Sequence, residues 1–467
     1  MNPETNTNMQ PNKKVLVETW GCQMNVADSE QMLGMLKDNE YQITNDVEEA
    51  DLVLLNTCHI REKARHKVVS RLGKLNDIRT KKNPNMKVAV AGCVAQAEGK
   101  KLMEQARNID VLVGPGKIDQ LVNLLKVNHN TGKKQLAVGF KDKDNNQAAP
   151  ALKTEAKVNP TITGRTEVSR FINISQGCDN FCTFCVVPFT RGREISLTPS
   201  KVADEARVLV ESGAKEITLL GQNVNSYGLD LVEAKSIENT EEGPFVGLLA
   251  KVAKIPGLAR LRFTTSNPHD FTKPLAELFK NEPKLGKYIH LPVQSGDNEV
   301  LERMKRKVTA SEYHERIAWL KEAVPDIAIS TDLIVGFPGE TEEQFENTLK
   351  LMREVRFSFV YAFSYSTRKG TAAARFKDQI PKEVKEARLK RLMDLQNEIT
   401  TELNLEEIGK TRKVLCHYES QKEKGVYYGR TEHFRLVRIP SSRDLVGKIV
   451  EVKITAANKT ALVGSLI

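Results

Sequence analysis

Residues 178–185 read CDNFCTFC, three cysteines spaced C-x3-C-x2-C with no fourth cysteine near them. Metal sites built on thiolates, zinc or an iron-sulfur cube, ordinarily close with four ligands. Each iron of a 4Fe-4S cube holds three inorganic sulfides and needs one ligand from outside, so Cys178, Cys182 and Cys185 would leave one iron open. An open metal position is where a substrate or cofactor can be chelated. The alternative is a zinc knuckle with a borrowed fourth ligand; His269 and His290 are candidates, but neither falls at finger spacing.

Three more cysteines share a design of their own. KVLVETWGC ends at Cys22, DLVLLNTC at Cys58 and MKVAVAGC at Cys93. Each is a short β-branched apolar run closed by a cysteine, and the segments between, such as SEQMLGMLKDN, carry helix-like patterns. Residues 14–127 therefore read as a parallel α/β sheet domain. Ligands gather outside the carboxyl ends of the strands in such sheets, which brings Cys22, Cys58 and Cys93 to one edge. Cys416 has no partner nearby and reads as a packing residue.

The rest of the chain must position the CDNFCTFC loop. A disordered tail is expected over residues 1–13 and a linker over 128–165, where NHNTGKK and KDKDNNQAAPALKTEAKVNPTITGR are polar and rich in Asn, Lys and Pro. Residues 166–408 alternate apolar runs (FINIS, EITLLG, LRFTTS, YIHLPVQSG, IAISTDLIVG, SFVYAFS) with helix-length segments. Six βα units make a partial (βα)6 barrel with reactive groups at the carboxyl strand ends. CDNFCTFC follows the first strand and lies on that face. Residues 409–467 read as a small β-barrel carrying twelve Lys and Arg against five Asp and Glu.

With 467 residues the chain is too long for one core. Its 40% hydrophobic and 28% charged composition is ordinary for globular protein. Seven cysteines, an odd number, argue against a disulfide framework and for reduced thiols. The sequence contains no run of eighteen apolar residues and its start lacks the apolar core of a secretory signal, so a cytoplasmic protein without a membrane anchor is expected. A formal charge of +10 hints at an anionic partner.

C-x3-C-x-Φ-C after the first barrel strand, with Phe184 between the last two cysteines, resembles the radical S-adenosylmethionine (SAM) superfamily. The second trio in an N-terminal α/β domain resembles its methylthiotransferase family, and GCQMN, NTCHIREKA and GCDNFCTFCVVPFTRGRE resemble the branch acting on prenylated adenosine in tRNA. That resemblance implies two 4Fe-4S clusters, each with an open iron. The barrel trio would anchor SAM and generate a 5′-deoxyadenosyl radical; the N-terminal trio would serve sulfur delivery. It also implies a TRAM-type RNA-binding tail, a tRNA anticodon stem-loop as substrate, and a low-potential electron donor such as flavodoxin or ferredoxin. A monomer is expected. Sister activities on a ribosomal-protein aspartate or on threonylcarbamoyl-adenosine remain open, as does a non-catalytic iron-sulfur RNA sensor.

By the same resemblance, SAM contacts fall among the polar residues at strand ends: Gln222, Asn223, Ser266, Gln294, Ser295 and Asp332, with Phe184 near the adenine. Arg191 and Arg193 in TRGRE are candidates for RNA phosphates or the SAM carboxylate. GFPGET at 336–341 lacks the Lys-Ser/Thr of a P-loop and reads as a turn close to SAM. In the tail, Tyr427, Arg430, His433, Phe434 and Arg435 combine rings with guanidinium groups, as single-stranded RNA binding requires.

Overall fold

Six strands form the N-terminal sheet: β1 (Lys13–Trp20), β2 (Tyr41–Ile43), β3 (Leu52–Thr57), β4 (Lys87–Gly92), β5 (Val111–Val113) and β6 (Gln135–Ala137), in the order β2-β1-β3-β4-β5-β6. Every neighbouring pair is parallel. The central β3 is buried along its whole length. Val53 and Leu55 pack into one apolar layer, Leu52 and Leu54 into the other, which explains why LVLL does not alternate with polar residues. Helices α1 (Gln23–Lys37), α2 (Glu62–Lys81), α3 (Cys93–Gln105) and α4 (Leu121–Thr131) lie between strands.

This computed structural model describes residues 13–58, 62–140 and 168–467. One unit comprises the described residues before 141 together with Phe189–Gly192; the other comprises those from 168 to Pro188 and Arg193–Ile467. Residues 128–137, expected as linker, instead belong to the first unit. They complete α4, cap it with Gly132 in the left-handed region (φ 65°), and form the edge strand β6. The polar NHNTGKK is a helix end and turn leading to a three-residue edge strand, which needs little apolar sequence. Most of the expected linker, and the tail before Lys13, lie outside the described residues.

In the second unit, β7 (Ser169–Asn173) is followed by a small hairpin, β8 (Ser175–Gln176) with β9 (Ile195–Ser196), then by β10 (Glu216–Leu220), β11 (Arg260–Thr264), β12 (Tyr288–His290), β13 (Ala328–Val335) and β14 (Phe359–Ser364). Strands β7, β10 and β11 pair in parallel, as do β12, β13 and β14. A Leu261–Leu285 bridge and a hydrogen bond from Ser266 N–H to the His290 carbonyl (3.3 Å) join the two sheets. The six expected strands are thus all present. Among the described residues β7 and β14 do not pair, leaving the barrel open. Ile172, Ile217, Leu219, Leu261, Phe263 and Ile329 belong to the apolar layer under the helices. The alternate positions, Ser169, Glu216, Arg260, Arg262 and His290, are polar and face the barrel interior.

The tail is a closed five-stranded barrel of β15 (Thr411–Glu419), β16 (Val426–Thr431), β17 (Leu436–Pro440), β18 (Ile449–Ala457) and β19 (Leu462–Leu466). Its loop after β16 seals the amino-terminal mouth of the central barrel. Phe434 stacks on Tyr288 with ring centroids 4.8 Å apart, and the guanidinium groups of Arg262 and Arg430 lie 4.9 and 4.2 Å from the Phe434 centroid. Arg260 and Arg262 donate to the carbonyls of Arg430, Thr431 and Glu432. Glu216 accepts from Arg262 Nε (2.9 Å) and lies 3.5 Å from His417 Nε2. Although burial opposes ionisation, Arg262, His417 and Arg260 hold the Glu216 carboxyl well below its usual range.

No described helix is long and apolar enough to cross a membrane. Glu216→Ala would leave Arg262 buried without its carboxylate, so a loss of about 3 kcal/mol in denaturant unfolding is expected. A second expectation concerns pH. His433 is buried and donates from Nε2 to Asp326 at 3.0 Å, and burial pushes it down to about 4. Its ordinary value is about 6.5, so its share of stability is complete above pH 6.5 and is lost as pH falls toward 4. The fall in Tm across that window should be smaller in His433→Gln, measured by thermal scans.

Candidate iron-sulfur and cofactor sites

Strand register delivers the first trio to one edge. Trp20 pairs with Thr57, and Thr57 with Gly92; Cys22, Cys58 and Cys93 follow one or two residues beyond. Cys22 sits at the N-cap of α1 and Cys93 opens α3. A buried polar braid fixes them. Asn56 donates to the Asn25 carbonyl (2.6 Å) and to Ser29 Oγ (2.9 Å), and accepts from Asn25 Nδ2 (3.2 Å). Asn25 Oδ1 in turn accepts from Cys22 N (3.4 Å) and Cys22 Sγ (3.3 Å). Both asparagines are fully buried.

The glycine before each of two cysteines has a steric cause. A Cβ on Gly21 would strike Asn25 and Cys58, and one on Gly92, whose φ is 89°, would strike Asn56 and the Thr57 backbone. A hydrogen bond with Cys58, helped by the charge of Arg191, holds the Cys22 thiol down to about 6; burial pushes Cys93 up. Arg191 belongs to this unit. It donates to Asp28 Oδ2 at 2.7 Å and contacts Cys93. Its side chain is 4% exposed, so it is not available to an RNA phosphate or to the SAM carboxylate.

The second trio lies on the loop after β7 and β8. Cys185 N–H bonds to the Cys182 carbonyl (3.0 Å), Thr183 N–H to the Met304 carbonyl (3.0 Å), and Thr183 Oγ1 to the Arg303 carbonyl (2.9 Å). Arg306 reaches Cys182 Sγ at 3.8 Å while anchored to the Pro292 carbonyl at 2.6 Å. Asn180 Nδ2 lies 3.5 Å from Cys178 Sγ, and Val187 N–H lies 3.4 Å from Cys185 Sγ. Burial pushes the thiols of Cys178 and Cys185 up, to about 11 and about 12; a cation bound among them reverses that preference. Among the described residues no His, Cys, Asp or Glu group stands at the spacing of a single metal ion. The corners of a cube are farther apart than the ligands of one ion, and three thiols with N–H donors aimed at their sulfurs suit it. His290, one of the two knuckle candidates, is engaged with Ser330 Oγ (2.9 Å) and Asp332 (3.4 Å).

The strand-end residues divide into spent and available groups. Gln222 accepts from Gly177 N–H, fixing the start of the cysteine loop. Ser295 is fully buried and accepts from Asp297 N–H, and Gln294 continues the ladder beside β13 through Asp332 and Ile334. Asn223 donates to Asp270 (2.6 Å), but its buried Oδ1, like the buried Ser266 Oγ, has no hydrogen-bond partner among the described residues. Such orphans suit a polar ligand. Phe184 packs against the cluster of Val300, Met304 and Phe337. In GFPGET, Glu340 accepts from Gly336 N–H and pairs with Arg388 (2.8 Å), both side chains buried. Sequence reasoning passed over Glu194, whose carboxylate accepts from Ser226 Oγ at 2.7 Å and which burial pushes up to about 8.

The tail residues expected on RNA turn inward. Tyr427 lies in the barrel core, Arg430 and Phe434 pack against the central strands, His433 is bonded to Asp326, and Arg435 donates to Asn404. Their rings and guanidinium groups join two barrels instead. The outward face is elsewhere: Tyr418, 43% exposed, stacks on Tyr428 with centroids 5.5 Å apart, and Arg438 is the next cross-strand neighbour. Arg193 is also exposed, paired with Asp179 (2.6 Å) and lying over the Phe181 ring.

A partial βα barrel with a three-cysteine loop after its first strand defines a radical SAM protein. Family models agree: residues 14–114 match uncharacterized protein family UPF0004, 172–352 the radical SAM superfamily and 405–467 the TRAM domain. The fold is similar to the radical S-adenosylmethionine methyltransferase TsrM of Kitasatospora setae (TM-score 0.55, 14% identity, covering 78% of this chain and 75% of that one). It is also similar to the cobalamin-dependent radical enzyme OxsB (TM-score 0.51, 11% identity, covering 81% and 56%). Among curated proteins, the chain is 44% identical to a tRNA-2-methylthio-N(6)-dimethylallyladenosine synthase of Geotalea uraniireducens, over 98% of this chain and all of that one. It is 41% identical to that of Syntrophotalea carbinolica, over 97% and 99%. The chain belongs to this family of radical SAM methylthiotransferases.

The braid beneath the first trio yields a measurable outcome. Asn56→Ala strands the buried Asn25 amide and should cost about 1–3 kcal/mol, with fewer irons retained per chain after anaerobic reconstitution.

Proposed function

We propose that the protein converts carbon 2 of N6-dimethylallyladenosine at position 37 of tRNA from C–H to C–SCH3, with one SAM as methyl donor and a second as radical source. One observation carries the reading: two cysteine trios, each at the carboxyl ends of parallel strands, in a chain 44% identical over its length to a protein bearing that name. That carbon is neither acidic nor electrophilic enough for acid–base chemistry, so a radical route is required. When bound, a 4Fe-4S cluster on Cys178, Cys182 and Cys185 supplies an open iron for SAM and the electron that cleaves it, and a second on Cys22, Cys58 and Cys93 supplies the place for sulfur.

The residues around these groups bind and orient. Arg306 and Asn180 steady the barrel sulfurs, Gln222 sets the loop through Gly177, and the unpartnered Asn223 Oδ1 and Ser266 Oγ accept or donate to SAM. Asp332 and Phe184 complete the set of SAM contacts. Burial pushes Glu194 up to about 8 and so limits the negative charge beside the loop. RNA is held by Tyr418 and Tyr428, whose stacked rings offer a platform for unpaired bases, and by Arg438 and Arg193 on phosphates. A flavodoxin or ferredoxin delivers the electron to a cytoplasmic monomer.

Anaerobic incubation with SAM, a reductant and a prenylated anticodon stem-loop, followed by nucleoside mass spectrometry, tests the substrate; a product on threonylcarbamoyl-adenosine or on protein would reject it. Cys182→Ala should release no 5′-deoxyadenosine, whereas Cys58→Ala should still cleave SAM but form no methylthio product. Replacing Tyr418 and Tyr428 by Ala should weaken stem-loop binding by about 1–3 kcal/mol per stacked base. Unchanged affinity would place RNA on another face.

A further inference from the structure

A fixed cation stands against one member of the first trio, Cys93. Arg191 and Asp28 have side chains 4% and 6% exposed, and their 2.7 Å ion pair is sealed from water. Asp28 sits on α1, the helix that Cys22 caps, so the pair is tied to the same backbone as the first cysteine. The guanidinium also meets the Cys93 side chain at the start of α3. A cation buried this deeply costs several kcal/mol unless compensated. Asp28 balances one charge, and the arginine fork also reaches sulfur at Cys93. Neither SAM nor RNA phosphate chemistry explains a guanidinium spent in this way.

We propose that Arg191 and Asp28 form a positioning pair that sets the electrostatic environment of the first trio: Arg191 donates to Cys93 and favours the more reduced state of the group held there, while Asp28 aims the guanidinium and moderates its charge. This rests on the reading that the trio holds an iron-sulfur group. The physical reason is that reduction adds one negative charge, and an adjacent cation or N–H donor stabilises it. A lysine keeps the charge but loses the planar fork.

The test uses the full-length chain carrying Cys182→Ala, so that the signal comes from the first trio, reconstituted anaerobically and titrated by electron paramagnetic resonance. Arg191→Gln should lower the midpoint potential, Arg191→Lys should lower it less, and Asp28→Asn should raise it. Opposite signs from two members of one ion pair cannot come from general loosening. Equal potentials in Arg191→Lys, Asp28→Asn and the parent, at equal iron content, would overturn the proposal, and these two variants decide it even if Arg191→Gln fails to assemble. Absence of iron in the parent on this background would instead overturn the underlying reading, and iron analysis detects that before any titration.

Discussion

Parallel pairing is the constraint on which the reactive parts of this molecule depend. Strands running in one direction release their chains at one edge, and each then needs a helix to return. Both cysteine trios exploit that edge. In the first unit it gathers three cysteines far apart in sequence, because β1, β3 and β4 are neighbours in near register. In the second, one loop after one strand carries all three. The first solution depends on sheet order and the second on loop geometry, which explains why buried asparagines support one while backbone hydrogen bonds and Arg306 support the other.

Close approach imposes a further cost on the first trio. Gly21 and Gly92 leave room for Asn25, Asn56 and Cys58, and the conformation at Gly92 is one that side chains rarely adopt. The asparagines would be expensive in an apolar sheet if unpaired, and they satisfy one another. Rigidity here follows from interlocking exclusions: no side chain fits at the glycines, and no apolar residue can replace the amides without stranding a partner.

Much of this was legible in the sequence, and the failures have physical causes. Six barrel strands and the convergence of Cys22, Cys58 and Cys93 follow from periodicity and the carboxyl-end rule. The polar residue in LVLLN and the repeated Gly-Cys were visible, but nothing local says that Asn56 meets Asn25. The boundary after residue 127 failed because a three-residue edge strand hardly differs from a linker. The inward turn of Arg430, His433, Phe434 and Arg435 was illegible for a different reason. Composition shows that a segment is basic and aromatic, but not whether those groups face RNA or the acidic and aromatic mouth of a neighbouring barrel.

The stacking of Phe434 on Tyr288 sets an order of events during synthesis. Glu216, Arg260 and Arg262 emerge from the ribosome long before the loop that completes their hydrogen bonds. Until then the nascent barrel holds an uncovered cluster of charges and a bare tyrosine at one end. Chains that terminate early would retain that defect, marking them for proteolysis rather than leaving a functional shortened enzyme.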